Sequence, residues 1–195
     1  MKKLIVFLTI LSTLAFTTTA IVQNTNISVA PESELLIKGT TNVNSFKCVF
    51  NIKEVDKAIP IYYKVTNDRI EFEKANLILD NNCFDCGNKG MNRDFMALLK
   101  SDEYPEIVLE LKELKNVDNT TSNMNAKVKL TLAGISKNYM VSLKAKDNEP
   151  MEVSGNLRLN ITDFGLEAPK KALGLIVVSE NIEIKFQLIL KESKP

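Results

Sequence analysis

Histidine and tryptophan are absent from the 195 residues, and cysteine occurs only three times. Without histidine no Ser/His/Asp or Cys/His nucleophile, no imidazole proton shuttle and no His-ligated metal centre can be built. Three cysteines cannot close a tetrahedral zinc site from Cys and His alone. No phosphate-cradling glycine loop and no GxSxG is present, and the sequence places no carboxylate pair. Glu71, Glu73 and Glu183 alternate with apolar neighbours and are expected to face solvent, while Asp94, Asp102 and Glu103 flank a short helical segment. The chain is expected to be non-catalytic and to need neither a metal nor a cofactor.

Long apolar runs are also missing, apart from the one at the N-terminus. Lys2 and Lys3 precede an apolar stretch from Leu4 to Phe16, and Thr18-Thr19-Ala20 supplies small residues for cleavage. This is the pattern of a secretory signal peptide, residues 1–20. Its apolar part is shorter than the roughly 20 residues of a membrane span, so no transmembrane segment is expected. Export leaves a single mature domain, residues 21–195, expected in the periplasm or secreted. Loss of Lys2 and Lys3 leaves 23 basic residues against 24 acidic ones. That balance argues against a nucleic-acid partner, which requires a clustered positive excess.

What is present is period-two alternation. Phe46, Cys48, Phe50 and Ile52 share one face; Ile70 and Phe72 alternate with Glu71 and Glu73, with Leu77 and Leu79 continuing the segment. Further runs are Ile107 to Leu111, Ala126 to Leu132, Tyr139 to Ala145, Val153 to Ile161 and Ile182 to Leu190, with short segments at Leu35 to Gly39 and Ile61 to Val65. Eight or nine half-buried strands are implied. Turn residues at Asn67-Asp68, Asn116 to Asn125, Gly134 and Asp147 to Pro150 leave no room for repeated crossover helices. The sheet is therefore expected to be an antiparallel meander, closed into a barrel so that no long edge is exposed.

Two segments break the pattern. Asn92 to Lys100 reads as one short helix, with Phe95, Met96 and Leu99 on a face, Asn92 as its cap and Pro105 beyond its end. Phe164 to Leu175 is irregular, carrying Gly165, Pro169 and Gly174 among Leu166, Leu173 and Leu175. It is too apolar for a free loop and is expected to be a lid. Lys170-Lys171 within it could meet an anionic head group or make transient contact with a membrane surface, or simply be solvated. Cys83 and Cys86 have CxxC spacing, yet Gly87, Asn88 and Gly90 follow instead of a redox helix. Because export favours oxidation and Cys48 lies on an apolar face, the expected bridge is Cys48 to Cys86, with Cys83 left over.

Four stretches, in order, carry a family resemblance: SELLIKGTTNVNSF, MNRDFMALLKSDEYPEI, KLTLAGISKNYMVSLKA and NLRLNITDFGLEAPKKALGLIVVSENIEIKFQLIL. Together they resemble the YceI-like family, bacterial lipocalin-like proteins that bind polyisoprenoid lipids. The resemblance implies an all-β, antiparallel eight-stranded lipocalin-like barrel whose interior holds a long isoprenoid tail, with the head near the mouth. The chain departs from the better known members in lacking histidine and in carrying Cys48, Cys83 and Cys86. The expected ligand contacts are Phe46, Phe72, Met96, Tyr139, Phe164 and Phe186, with Leu173 and Leu175 as lid contacts. Two alternatives follow from the same alternation: a structural or interaction domain with a filled core, and a small outer-membrane barrel. The abundant lysines between apolar positions and the KESKP tail argue against the latter.

Overall fold

The computed structural model of the chain describes residues 21–66, 69–116, 123–146, 149–171 and 175–193. The expected signal segment, residues 1–20, and the lid residue Leu173 lie outside them. Eight antiparallel strands form a closed ring: β1 (Gln23–Val29), β4 (Ile59–Thr66), β5 (Arg69–Lys74), β8 (Glu106–Lys115), β9 (Asn123–Leu132), β10 (Ile135–Lys146), β11 (Met151–Asn160) and β14 (Asn181–Ser193), which returns to β1. Four further strands in the same sheet, β2 (Glu34–Thr40), β3 (Ser45–Phe50), β6 (Asn76–Asp80) and β7 (Phe84–Asp85), extend the wall at one end. A separate hairpin pairs β12 (Lys170–Lys171) with β13 (Ile176–Val177).

Two long strands act as seams. Glu183 to Gln187 of β14 pair with β2, and its later residues, Leu190 to Ser193, pair with β1. On the opposite side β8 pairs through Glu106 to Glu110 with β6 and through Glu113 to Lys115 with β5. Ala75 separates β5 from β6, so Ile70 to Leu79 is two strands rather than the single expected segment. At the same level β8 carries a bulge between Leu111 and Glu113. A bulge shifts side-chain phase by one residue, so both Leu111, opposite Val128, and Leu114, opposite Ala126, face inward.

The end walled by β2, β3, β6 and β7 is packed solid. The 3-10 turn Ile161–Phe164 plugs it; Phe164 is 0% exposed, and Leu79, Leu130 and Leu166 are also fully buried. In the same core sits a ladder of rings, with Phe50 5.0 Å from Phe84 and Phe84 5.0 Å from Phe95. Phe95 belongs to the helix α1 (Lys89–Leu98). The expected cap, Asn92, lies inside this helix; the cap is Asn88, whose side chain accepts the Met91 N–H at 2.9 Å. Asn92 instead accepts the Cys86 N–H at 2.7 Å, anchoring the helix to the end of β7. The helix ends with Lys100 in the left-handed region, where Ser101 N–H reaches the Met96 carbonyl. Gly134, with Ala133, makes the β9–β10 turn at positive φ, and a Cβ at Gly134 would stand 2.6 Å from the Tyr104 ring.

Cys48 of β3 and Cys86 are joined by a disulfide spanning 38 residues, and Cys83 is free. Burial raises the Cys83 thiol above its ordinary range, with Asp80 and then Glu54 adding to the effect. A thiol held protonated is a poor nucleophile.

Candidate functional site: the barrel lumen

Cross-strand partners share a face of the sheet, so the registers define layers of the lumen. One layer runs Leu35, Phe186, Gly155, Leu143 and Met124 across β2, β14, β11, β10 and β9. A second runs Val65, Ile70, Leu114, Ala126 and Val141 across β4, β5, β8, β9 and β10. The first layer depends on Gly155, because a Cβ there would stand 2.7 Å from Cζ of Phe186 and 3.0 Å from Leu143. Glycine thus lets the Phe186 ring lie against the wall.

The half of the lumen away from the plug differs from the packed end. Its inward residues Tyr63, Ile70, Phe72, Leu114, Met124, Val153, Leu188 and Leu190 all keep part of their surface accessible, and Val65 is exposed at the mouth. From Tyr139 to that mouth, the described inward positions carry no lysine or arginine. At the rim Thr25, itself buried, donates from its Oγ1 to Glu192 at 2.8 Å.

Charges are kept on the outside and paired there. Glu110 accepts from Lys112 at 2.6 Å and ion-pairs with Lys129 at 2.8 Å, which holds its carboxyl below the usual carboxylate range. Burial would raise the Glu183 carboxyl, but Lys185 and Arg158 outweigh it and leave it below that range. Among the described residues no group of three or more Cys, Asp and Glu is gathered as a metal site would need. None of their helices is long and apolar enough to cross a membrane.

Within this frame the expected contact residues separate. Phe72, 6.2 Å from Tyr63, and Phe186 face the accessible lumen and are half-buried. Tyr139 stacks on Phe164 at 6.3 Å, where plug and lumen meet. Its hydroxyl is buried with no hydrogen-bond partner among the described residues. Burial, and then Asp163, push that phenol above its ordinary range. Phe164 itself is closed off inside the plug, so in this conformation it presents no surface to a ligand. Phe46 lies over Gly39 in the β2–β3 extension, away from the accessible half. Met96 is half-buried on α1, which packs on the core through Met91, Phe95 and Leu98 instead. Leu175 points outward and is 75% exposed.

Tyr63, Leu114 and Met124 line the lumen without having been singled out as contacts. The alternation at Ile61 to Val65 carried the signal for Tyr63. Leu114 falls out of phase with Ile107 to Leu111 because of the bulge, so alternation alone points it the wrong way.

The YceI-like domain model matches residues 62–190 of the chain. No curated protein sequence matches it. Among solved structures it is similar to a polyisoprenoid-binding domain from Saccharophagus degradans implicated in plant cell wall breakdown, at 16% identity and a TM-score of 0.60, covering 87% of this chain and 98% of that one. It is also similar to BcnA of Burkholderia cenocepacia, at 18% identity and a TM-score of 0.59, covering 82% of this chain and 96% of the other. A YceI protein of Campylobacter jejuni aligns at 18% identity with a TM-score of 0.51, over 64% of this chain and 75% of that one. At such identities the likeness is one of fold. The ring of eight strands and the domain match over most of the length lead to one assignment: the chain belongs to the YceI-like family.

Proposed function

We propose that the protein is exported to the periplasm or beyond, and that it is a non-catalytic carrier or store for one long-chain isoprenoid or similar apolar molecule held along the barrel axis. The observation that carries this reading is the half-lumen between Tyr139 and the mouth: inward and apolar within a closed ring, with Ala126, Val141 and Leu143 buried but Tyr63, Phe72, Leu114, Met124, Val153, Phe186 and Leu188 partly accessible. A strand wall that served only as core would bury those side chains as completely as Leu130 and Leu79 are buried. Family membership and the polyisoprenoid-binding relative support the same chemistry.

The energetics fit a tail. Micromolar binding takes about 8 kcal/mol. At ~0.8 kcal/mol per buried CH₂, roughly ten carbons supply that before ordering costs are subtracted. The lack of an inward cation also favours a neutral chain over an ionised group at this depth, since an unpaired charge there would forfeit its hydration.

The test is extraction of the natively purified protein with organic solvent, followed by mass spectrometry. A polyprenyl lipid in stoichiometric amount is expected. Protein that repeatedly purifies empty and takes up no added polyprenyl lipid would leave the filled-core interaction domain as the reading.

A further inference from the structure

The packed end carries a surface unlike the rest of the wall. The turn between β2 and β3, residues 41–44, is tied to the β12–β13 hairpin. Asn42 donates its backbone N–H to the Val177 carbonyl at 3.2 Å and its side-chain Nδ2 to the Leu175 carbonyl at 2.9 Å, and its Oδ1 accepts the Val177 N–H at 3.0 Å. Thr41 and Val178 form a β-bridge, and Ser179 N–H reaches the Thr40 carbonyl at 2.8 Å. The β2–β3 turn and residues 175–179 are thereby one promontory. It holds Val43, Leu175 and Val177 out at 69%, 75% and 42% exposure.

Beside it, beginning at Thr40 and Ser45, lies an open groove of about 600 Å³ at the ends of β2, β3, β11 and β14, where Phe46 and Ile182 meet Lys38, Lys47, Arg158 and Glu183. Lys38 and Lys47 stand opposite each other in register, a pairing of like charges that costs stability within the fold. Glu183 lies opposite Lys38 but is engaged by Arg158 at 3.4 Å and Lys185 at 3.2 Å. Among the described residues neither Lys38 nor Lys47 has a carboxylate within ion-pair distance. Aliphatic prongs thus stand next to uncompensated ammonium groups.

We propose that promontory and groove together form a docking surface for an anionic lipid bilayer, with Val43, Leu175 and Val177 entering the headgroup region and Lys38 and Lys47 meeting lipid phosphates. A bilayer of this kind is negative at its surface and apolar just beneath it, the same order of chemistry that the patch presents. A nucleic acid would satisfy the lysines and leave the prongs in water. The inference goes beyond the lumen reading and does not depend on it, because docking is measured on the protein whether or not the lumen is filled.

The experiment is co-sedimentation of the purified full chain with phosphatidylcholine vesicles, with and without phosphatidylglycerol. Binding is expected to the anionic vesicles only and to weaken as salt is raised. Lys38→Gln/Lys47→Gln should weaken partitioning about 25-fold, each lysine near such a surface being worth about fivefold. Val43→Asp/Leu175→Asp should lose binding, whereas Met140→Asp, at an exposed outer position of β10, should bind like the parent. All these sites are on the surface, so unchanged thermal unfolding separates lost docking from lost fold. No sedimentation with either vesicle, equal binding to both, or parent-like binding by the two double variants would overturn the proposal.

Discussion

The same wall strands run through two differently built halves of one barrel. Around the plug, β9 gives Leu130 with no accessible surface, and the ring ladder of Phe50, Phe84 and Phe95 fills the space between the sheet and α1. Toward the mouth, β9 gives Met124, and its neighbour on β8 gives Leu114, both inward and both partly accessible. Strand chemistry does not separate the halves, since apolar residues alternate with charged or polar ones in both. The difference comes from what enters the lumen: the turn Ile161–Phe164 closes one half, and no described segment enters the other. An alternating wall therefore either packs as a core or keeps its inward side chains partly accessible, depending on whether non-strand segments are folded into it.

One substitution made in both halves tests that contrast most severely. Leu130→Ala should cost about 3 to 5 kcal/mol in denaturant unfolding, because a closed site cannot collapse around the void. Leu114→Ala should cost less than half as much, because its site already admits solvent. Equal costs would mean that the mouth half is packed as tightly as the plug. The disulfide belongs wholly to the plugged half, where Cys48→Ala/Cys86→Ala should lose ~3 to 4 kcal/mol by loop-entropy reasoning over its 38-residue span. Lipid uptake should survive in that variant below its unfolding transition.

In the mouth half, the readout is lipid uptake by protein that remains folded. Phe186→Glu places a carboxylate in the apolar lumen and should abolish uptake of a polyprenyl lipid, while Lys185→Gln, on the outer face of the same strand, should leave uptake unchanged. Retention of uptake by Phe186→Glu would place the ligand elsewhere. At the junction of the halves, Tyr139→Phe removes a buried hydroxyl that has no partner among the described residues. Ligand-free protein carrying it should be as stable as the parent or up to ~1 kcal/mol more stable, at the low end of what an unsatisfied buried polar group costs. A loss of more than that would show a hydrogen bond at this site.

The smallest effect is expected from acid. The ion pairs that hold the Glu110 carboxyl below its ordinary range stabilise the folded wall fully above the ordinary carboxylate range, and the contribution fades as pH falls through the lowered value. Glu110→Gln should therefore lower the neutral limb of a stability-against-pH curve slightly and converge with the parent at the acid end, where the pairs are already lost. The change should be slight, because the partners Lys112 and Lys129 are solvent-accessible.

Much of the wall was legible in the sequence. Alternation placed the faces of β3, β9, β10, β11 and β14, and Cys48 stood on the inward face from which it reaches Cys86. The helix was legible in kind but displaced toward its C-terminus, since Asn92 and Asn88 are both acceptable caps and only the position of β7 decides between them. The strand that closes the ring was not legible at all. In Gln23–Val29, QNTNISV, polar residues outnumber apolar ones, and the segment becomes a strand because β4 and β14 each leave an edge for it to satisfy.

Residue types and their local spacing suffice to make this chain an antiparallel β protein with an apolar face along most strands and no histidine-based chemistry. Both follow from residue type and from a period that is local to each strand. Tertiary structure decided the rest: closure by β1, the phase shift at the β8 bulge, the sealing of Phe164 inside the plug, the exposure of Leu175, and which inward side chains keep accessible surface. Each of these depends on which distant segment arrives as a neighbour, and a two-residue period, being the same for every possible partner, carries no record of that choice.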